Sequence, residues 1–186
     1  MQARGLLMIE HRLIERMVAV IRRTLEQARQ AASIDPYFVD AAVDFIRTYA
    51  DRTHHGKEED ILFRDLEERN LSDEDRRLMN ELIEEHVFAR KTTKAVVEAT
   101  ARYREGDTGA LEEIVSRLNT LVHFYPAHIE KEDAVFFPAA RAYFSDEEDR
   151  AMLARFREFD GKMIHEKYKA VVQAFEGGGS PSECKS

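Results

Sequence analysis

The feature that most constrains this chain is its lack of turn punctuation. It has only 8 Gly and 4 Pro in 186 residues, and three of those Gly and one Pro fall in the last ten positions. A chain so poor in breakers can form long helices, and its apolar residues fall at helical spacing. Leu7, Ile14, Val18, Ile21 and Leu25 make one such stripe. Five helices are expected: about 5–32, from Pro36 to about Arg69, to about Arg104, from about Ala110 to Tyr143, and from the "SDEEDR" stretch to near Phe175. Ser33 or Asp35, and Ser72 or Asp73, supply N-cap chemistry at two of the breaks, and the acidic run "DEEDR" reads as the N-cap and solvated first turn of the last helix. Pro126 is a candidate kink in the fourth helix. Residues 1–176 read as one domain and 177–186, "GGGSPSECKS", as a disordered tail.

Charge and cysteine usage remove several classes of function. The net charge is −8 and the pI about 5.4, a poor footing for a nucleic-acid backbone. Cys184 is the sole cysteine, so an internal disulfide or a cysteine-ligated zinc or iron–sulfur site is excluded. No apolar run approaches the ~20 residues of a membrane span. The N-terminus has charges within its apolar stretch, unlike a secretory signal. These features give the expectation of a cytoplasmic protein without membrane or nucleic-acid partners.

The chain also repeats itself. Displaced by 73 residues, the segment 38–74 falls on 111–147 without a gap, placing His55 on His128, Glu59 on Glu132, Asp60 on Asp133 and Phe63 on Phe136. In "HHGKEEDILF" two pairs at i, i+4 overlap, His54/Glu58 and His55/Glu59. At this displacement only the second recurs, because Ala127 and Lys131 stand opposite His54 and Glu58. His54 and Glu58 are therefore read as flanking residues.

Residues at i and i+4 point the same way on a helix. His128 and Glu132 sit on the stripe Leu118, Leu121, Tyr125, Val135, Ala139. His11 lies between Leu7 and Ile14, and His86 between Leu82 and Ala89. Four helices thus each turn a histidine inward, and two add a carboxylate. Burying these groups together is costly unless something neutralises and coordinates them, and a metal centre does both. Nitrogen and oxygen donors without thiolate disfavour a closed structural zinc site. His123 is rotated away from His128 and reads as structural; Tyr125 and Tyr168 read as core residues.

The order His … His-x-x-x-Glu … His … His-x-x-x-Glu, carried by "IEHRLIERM", "HHGKEEDILF", "EEHVFARK" and "HIEKEDAVFFP", resembles the hemerythrin-like, or HHE cation-binding, domain family. The resemblance implies an all-α, up-down four-helix bundle, here with an additional C-terminal fifth helix. It implies a non-heme diiron centre, oxo- or hydroxo-bridged, held by His11, His55, Glu59, His86, His128 and Glu132. It implies O2, NO or peroxide as the ligand at an open position, for sensing, storage or scavenging. The alternative is a diiron redox enzyme that turns over peroxide or nitric oxide or repairs iron centres. A sensing role would need a separate protein partner.

Two departures matter. Arg90 stands where oxygen carriers keep a second third-helix histidine, and Glu132 replaces their later aspartate. One iron is then short of a nitrogen ligand. Matching "KAVV" at 94–97 with 169–172 sets His165 opposite Arg90, as an additional ligand or as a group hydrogen-bonded to one.

Overall fold

A computed structural model of the chain describes residues 2–161 and 164–177. Among them the fold is entirely helical. α1 is Ala3–Ala31. α2 is a continuous but uneven helix over 36–67: α-helical at Pro36–Asp44, π-helical at Phe45–His55 and again at Glu58–Phe63, then α-helical at Arg64–Glu67. α3 is Asp73–Arg104. α4 covers 110–141, α-helical at Ala110–Lys131, π-helical at Glu132–Phe136 and α-helical again at Phe137–Arg141. α5 is Asp146–Phe159 and α6 is Ile164–Glu176.

The caps follow the sequence chemistry. The Asp35 carboxylate accepts from the Tyr37 amide, and Ser72 Oγ accepts from the Asp75 amide. Ser145 and Glu148 form a reciprocal capping box at the start of α5. Helix α4 remains α-helical through Pro126, and its irregularity comes six residues later. The C-terminal segment expected as one helix is two, α5 and α6, with Gly161 between them at φ 56°, a left-handed conformation that suits glycine. The tail at 178–186 and the side chain of His165 lie outside the described residues.

α4 packs against both α1 and α3, and α2 against α3. The core divides into two apolar clusters. One gathers Ile14, Met17, Ile21, Phe45, Val96, Leu118, Leu121 and Tyr125. The other gathers Leu7, Leu62, Phe63, Leu82, Phe136, Phe137 and Phe156. Between them in each of the four long helices comes a buried polar set: Glu10 and His11, then His54, His55, Lys57 and Glu58, then His86, then His128 and Glu132. An ionisable layer therefore cuts across an otherwise apolar interior.

Candidate metal centre

Five imidazoles and two carboxylates converge in that layer. His11, His54, Glu58 and Glu132 bring ligand atoms within 4.8 Å of one another, and so do His55, His86 and His128. The carboxylates tie the groups together. Glu58 Oε1 is 3.5 Å from His54 Nε2 and its Oε2 3.5 Å from His86 Nε2. Glu132 Oε2 is 3.2 Å from His11 Nε2 and its Oε1 3.2 Å from His128 Nε2. Each carboxylate reaches both groups.

Of the residues expected from sequence, His11, His55, His86, His128 and Glu132 are brought together, and Glu59 is not. Glu58 is fully buried at the centre, whereas the Glu59 side chain is 28% exposed and accepts from His86 Nδ1 at 2.7 Å. His54, read as a flank, lies inside with its Nε2 2.8 Å from His11 Nε2. The reason is the π-helical backbone. Neighbouring residues of a regular α-helix diverge by about 100°. The wider turn of a π segment inserts a residue and rephases the positions beyond it. In α2 this brings His54 and His55 inward together. In α4 it buries Phe136 and Ala140 and leaves Val135, expected in the core, 54% exposed.

With the backbone rephased, the internal repeat is clearest at 74 residues. His54 corresponds to His128, Lys57 to Lys131, Glu58 to Glu132, Glu59 to Asp133 and Phe63 to Phe137. Contacts obey the same rule. Glu59 holds His86 Nδ1 and Asp133 holds His11 Nδ1, both at 2.7 Å. Phe63 stacks on His86 and Phe137 on His11. Glu10 holds His54 Nδ1 at 2.8 Å while Lys57 grips Glu10; Glu85 holds His128 Nδ1 at 2.7 Å while Lys131 grips Glu85. The recurring Lys57 and Lys131 were the sequence signal for this register. Lys57 also pairs with Asp160, just beyond α5, which anchors the C-terminal region to the layer.

A carboxylate on Nδ1 fixes the imidazole tautomer with Nδ1–H donating, and leaves Nε2 as a donor for a cation. His55 differs from the other four: its Nδ1 is 3.6 Å from Asp51 Oδ1, beyond hydrogen-bond range. Arg90 does not reach the centre. It grips Asp51 and Glu59 at 2.7 and 2.6 Å, buttressing carboxylates beside His55 and His86. His123 hydrogen-bonds the Asn119 carbonyl on the surface.

The donor set fits a cation on electrostatic grounds. Both oxygens of Glu58, both of Glu132, His86 Nε2 and His128 Nε2 are buried without a hydrogen bond, a costly state for protein alone. The two Nε2 atoms of His11 and His54 face each other across 2.8 Å, which requires a positive centre or a proton between their lone pairs. Without metal, the protein supplies protons. Burial works against a charge on His11, but Asp133 and Glu132 outweigh it and raise its pKa to about 9. Burial and then His11 lower His54 to about 4. Burial, then Glu132 and Glu10, push Glu58 well up; Glu132 stays well below the usual range because His128 and His11 overcome its burial.

The all-helical fold and this buried layer of histidines and glutamates define a metal-binding helical protein. Residues 3–140 match the hemerythrin HHE cation-binding domain, and the chain belongs to that family. Uncharacterized protein Rv1995 of Mycobacterium tuberculosis and uncharacterized protein Mb2018 of Mycobacterium bovis are each 24% identical to it over 168 residues, 89% of this chain and 64% of theirs. The chain thus spans less than two-thirds of the length of these relatives. No solved structure gives a significant match. No described helix is long and apolar enough to cross a membrane.

Proposed function

We propose that the layer is a non-heme diiron centre that binds a small ligand such as O2, NO or peroxide for sensing, storage or scavenging. His11 and His54 would hold one iron, His55, His86 and His128 the other, and Glu58 and Glu132 would serve both. The observation behind this reading is that each glutamate spans both histidine groups. His55 supplies the nitrogen that Arg90 does not. Mixed imidazole and carboxylate donors without thiolate suit iron or manganese. When bound, the irons would supply a Lewis-acidic, redox-active pair with an open coordination position. The protein's part is to hold the imidazoles in one tautomer through Glu10, Glu59, Glu85 and Asp133, and to exclude bulk water with the phenylalanines stacked on His11 and His86.

The alternative, a redox enzyme acting on peroxide or nitric oxide or repairing iron centres, predicts consumption of substrate with turnover instead of a reversible spectral change. Metal analysis and the visible spectrum of protein from iron-supplemented cells test the centre. About two irons per chain, lost in His54→Ala/His128→Ala, are expected; no metal in either folded protein would refute it.

A further inference from the structure

Within the buried layer the 74-residue symmetry fails at His55, and a cavity opens there. The counterpart of His55 is Ile129. Beside His55, between α2 and α3, lies a cavity of about 340 Å³. A water-sized ligand needs only about 10–15 Å³ of such space, and pockets for small organic molecules begin near ~300 Å³. The cavity is therefore far larger than a diatomic requires.

Its lining is ordered by chemistry. His55 and Tyr125 are among its buried members, and the His55 Nδ1 and the Tyr125 hydroxyl both lack hydrogen-bond partners. Burial raises the phenol's pKa, so the group stays a neutral donor. Ile46, Ala89 and Val97 supply apolar wall. Arg47 and Lys94 bring positive charge. Arg47 has no carboxylate in ion-pair range among the described residues. The acids near it are already paired: Asp51 by Arg90, both also in the lining, Asp40 by Arg104, and Asp44 by Lys167 and Tyr168. Lys94 has only exposed Glu98, at 3.6 Å. Two under-neutralised cations on a chain of net charge −8 select for an anion.

We propose that this cavity binds a small organic monocarboxylate, its carboxylate held by Arg47 and Lys94, its apolar body against Ile46, Ala89 and Val97, and its far end at the Tyr125 hydroxyl beside His55. The diiron reading enters only in making that far end the neighbour of a metal. Binding itself needs none.

Benzoate is the probe and benzamide its neutral counterpart. Both are titrated calorimetrically into the metal-free and iron-loaded 186-residue chain, with ring-fluorinated tyrosine reporting on Tyr125. Benzoate should bind the metal-free protein at least tenfold more tightly than benzamide and shift the Tyr125 resonance. Arg47→Gln should weaken it about tenfold, and Val97→Trp, which fills the cavity from a partly exposed position, should abolish it. No benzoate binding to the parent protein, or equal binding to both variants, overturns the proposal. Iron content, measured separately, identifies failure of the metal reading: binding without iron leaves the pocket intact, and iron without binding removes the pocket alone.

Discussion

Glu58 and Glu59 are neighbours of the same type, and the structure gives them opposite roles. Glu58→Gln and Glu59→Gln each remove one charge at nearly constant volume. Glu58 is wholly buried, touches His54 and His86, and in the metal-free protein is pushed toward its neutral form by burial, Glu132 and Glu10. Because it already favours the neutral form, glutamine in its place costs the metal-free fold little. On the proposed diiron reading it also deletes a ligand shared by both metals, so bound metal should fall from two per chain to one or none. Glu59 is partly exposed and acts on His86 Nδ1 and Arg90. A glutamine there still accepts from the imidazole but no longer raises its basicity. Loss of such an outer partner typically costs 10–100-fold in metal affinity, about 1.4–2.7 kcal/mol. The screened pair with Arg90 adds under ~1 kcal/mol to stability.

The assay pairs chelator competition and metal counting with urea unfolding of the metal-free proteins. Glu59→Gln should keep full stoichiometry with weakened affinity. Glu58→Gln should lose stoichiometry with unfolding stability unchanged or raised. If Glu59→Gln loses stoichiometry while Glu58→Gln keeps it, Glu59 is the ligand and the rephasing of α2 is refuted.

Other consequences rest on single contacts. Lys57 is fully buried between Glu10 and Asp160; removing one partner of a buried pair costs about 3–5 kcal/mol, so Lys57→Met should lose stability of that order in urea, and a loss under ~1 kcal/mol would refute the buried network. The matching Lys131 is partly exposed, and Lys131→Met should cost under ~1 kcal/mol. In the metal-free protein the proton on His11, with its pKa near 9, must leave before metal binds; affinity should fall about tenfold per pH unit below 9, and a flat profile from pH 7 to 9 would refute it. The same raised pKa stabilises the metal-free fold fully below about 6.5 and loses that effect as pH rises through 9, whereas His54, depressed to about 4, withdraws stability as pH falls from 6.5 toward 4. Metal-free stability should therefore peak near pH 6.5 in thermal melts. Ser145→Ala breaks the capping box of α5 and should cost about 1 kcal/mol.

Much of this is legible in the sequence. Helical spacing and scarce breakers located the long helices within a few residues, and the caps at Asp35 and Ser72 stood at the breaks. Polar residues on apolar stripes pointed to His11, His86, His128 and Glu132. What periodicity could not register was a π segment, because counting by 3.6 assumes a uniform helix. The displacement of 73 was anchored by the long match that includes Phe63 with Phe136 and the two caps, and it cost one residue of register at the layer. The shorter pattern His-x-x-Lys-Glu-acid, at 54–59 and again at 128–133, held the correct register. Its lysine was the key, since Lys57 and Lys131 each pair with the carboxylate, Glu10 or Glu85, that holds the pattern's histidine.

The same comparison shows why symmetry alone leaves the centre incomplete. Six residues form matched pairs with matched outer partners, His54 with His128 and Glu58 with Glu132 at 74 residues and His11 with His86 at 75, and a site made of these alone would treat the two proposed metal positions alike. His55 and Arg90 fall outside this pairing. The π turn that carries His54 inward carries His55 with it, and Arg90 then serves the layer by gripping Asp51 and Glu59 instead of contributing a donor. One histidine group gains a third imidazole, and the other keeps two. The cavity lies on the side of the third imidazole, so one backbone irregularity both makes the two positions unequal and sets the one with three imidazoles beside the pocket.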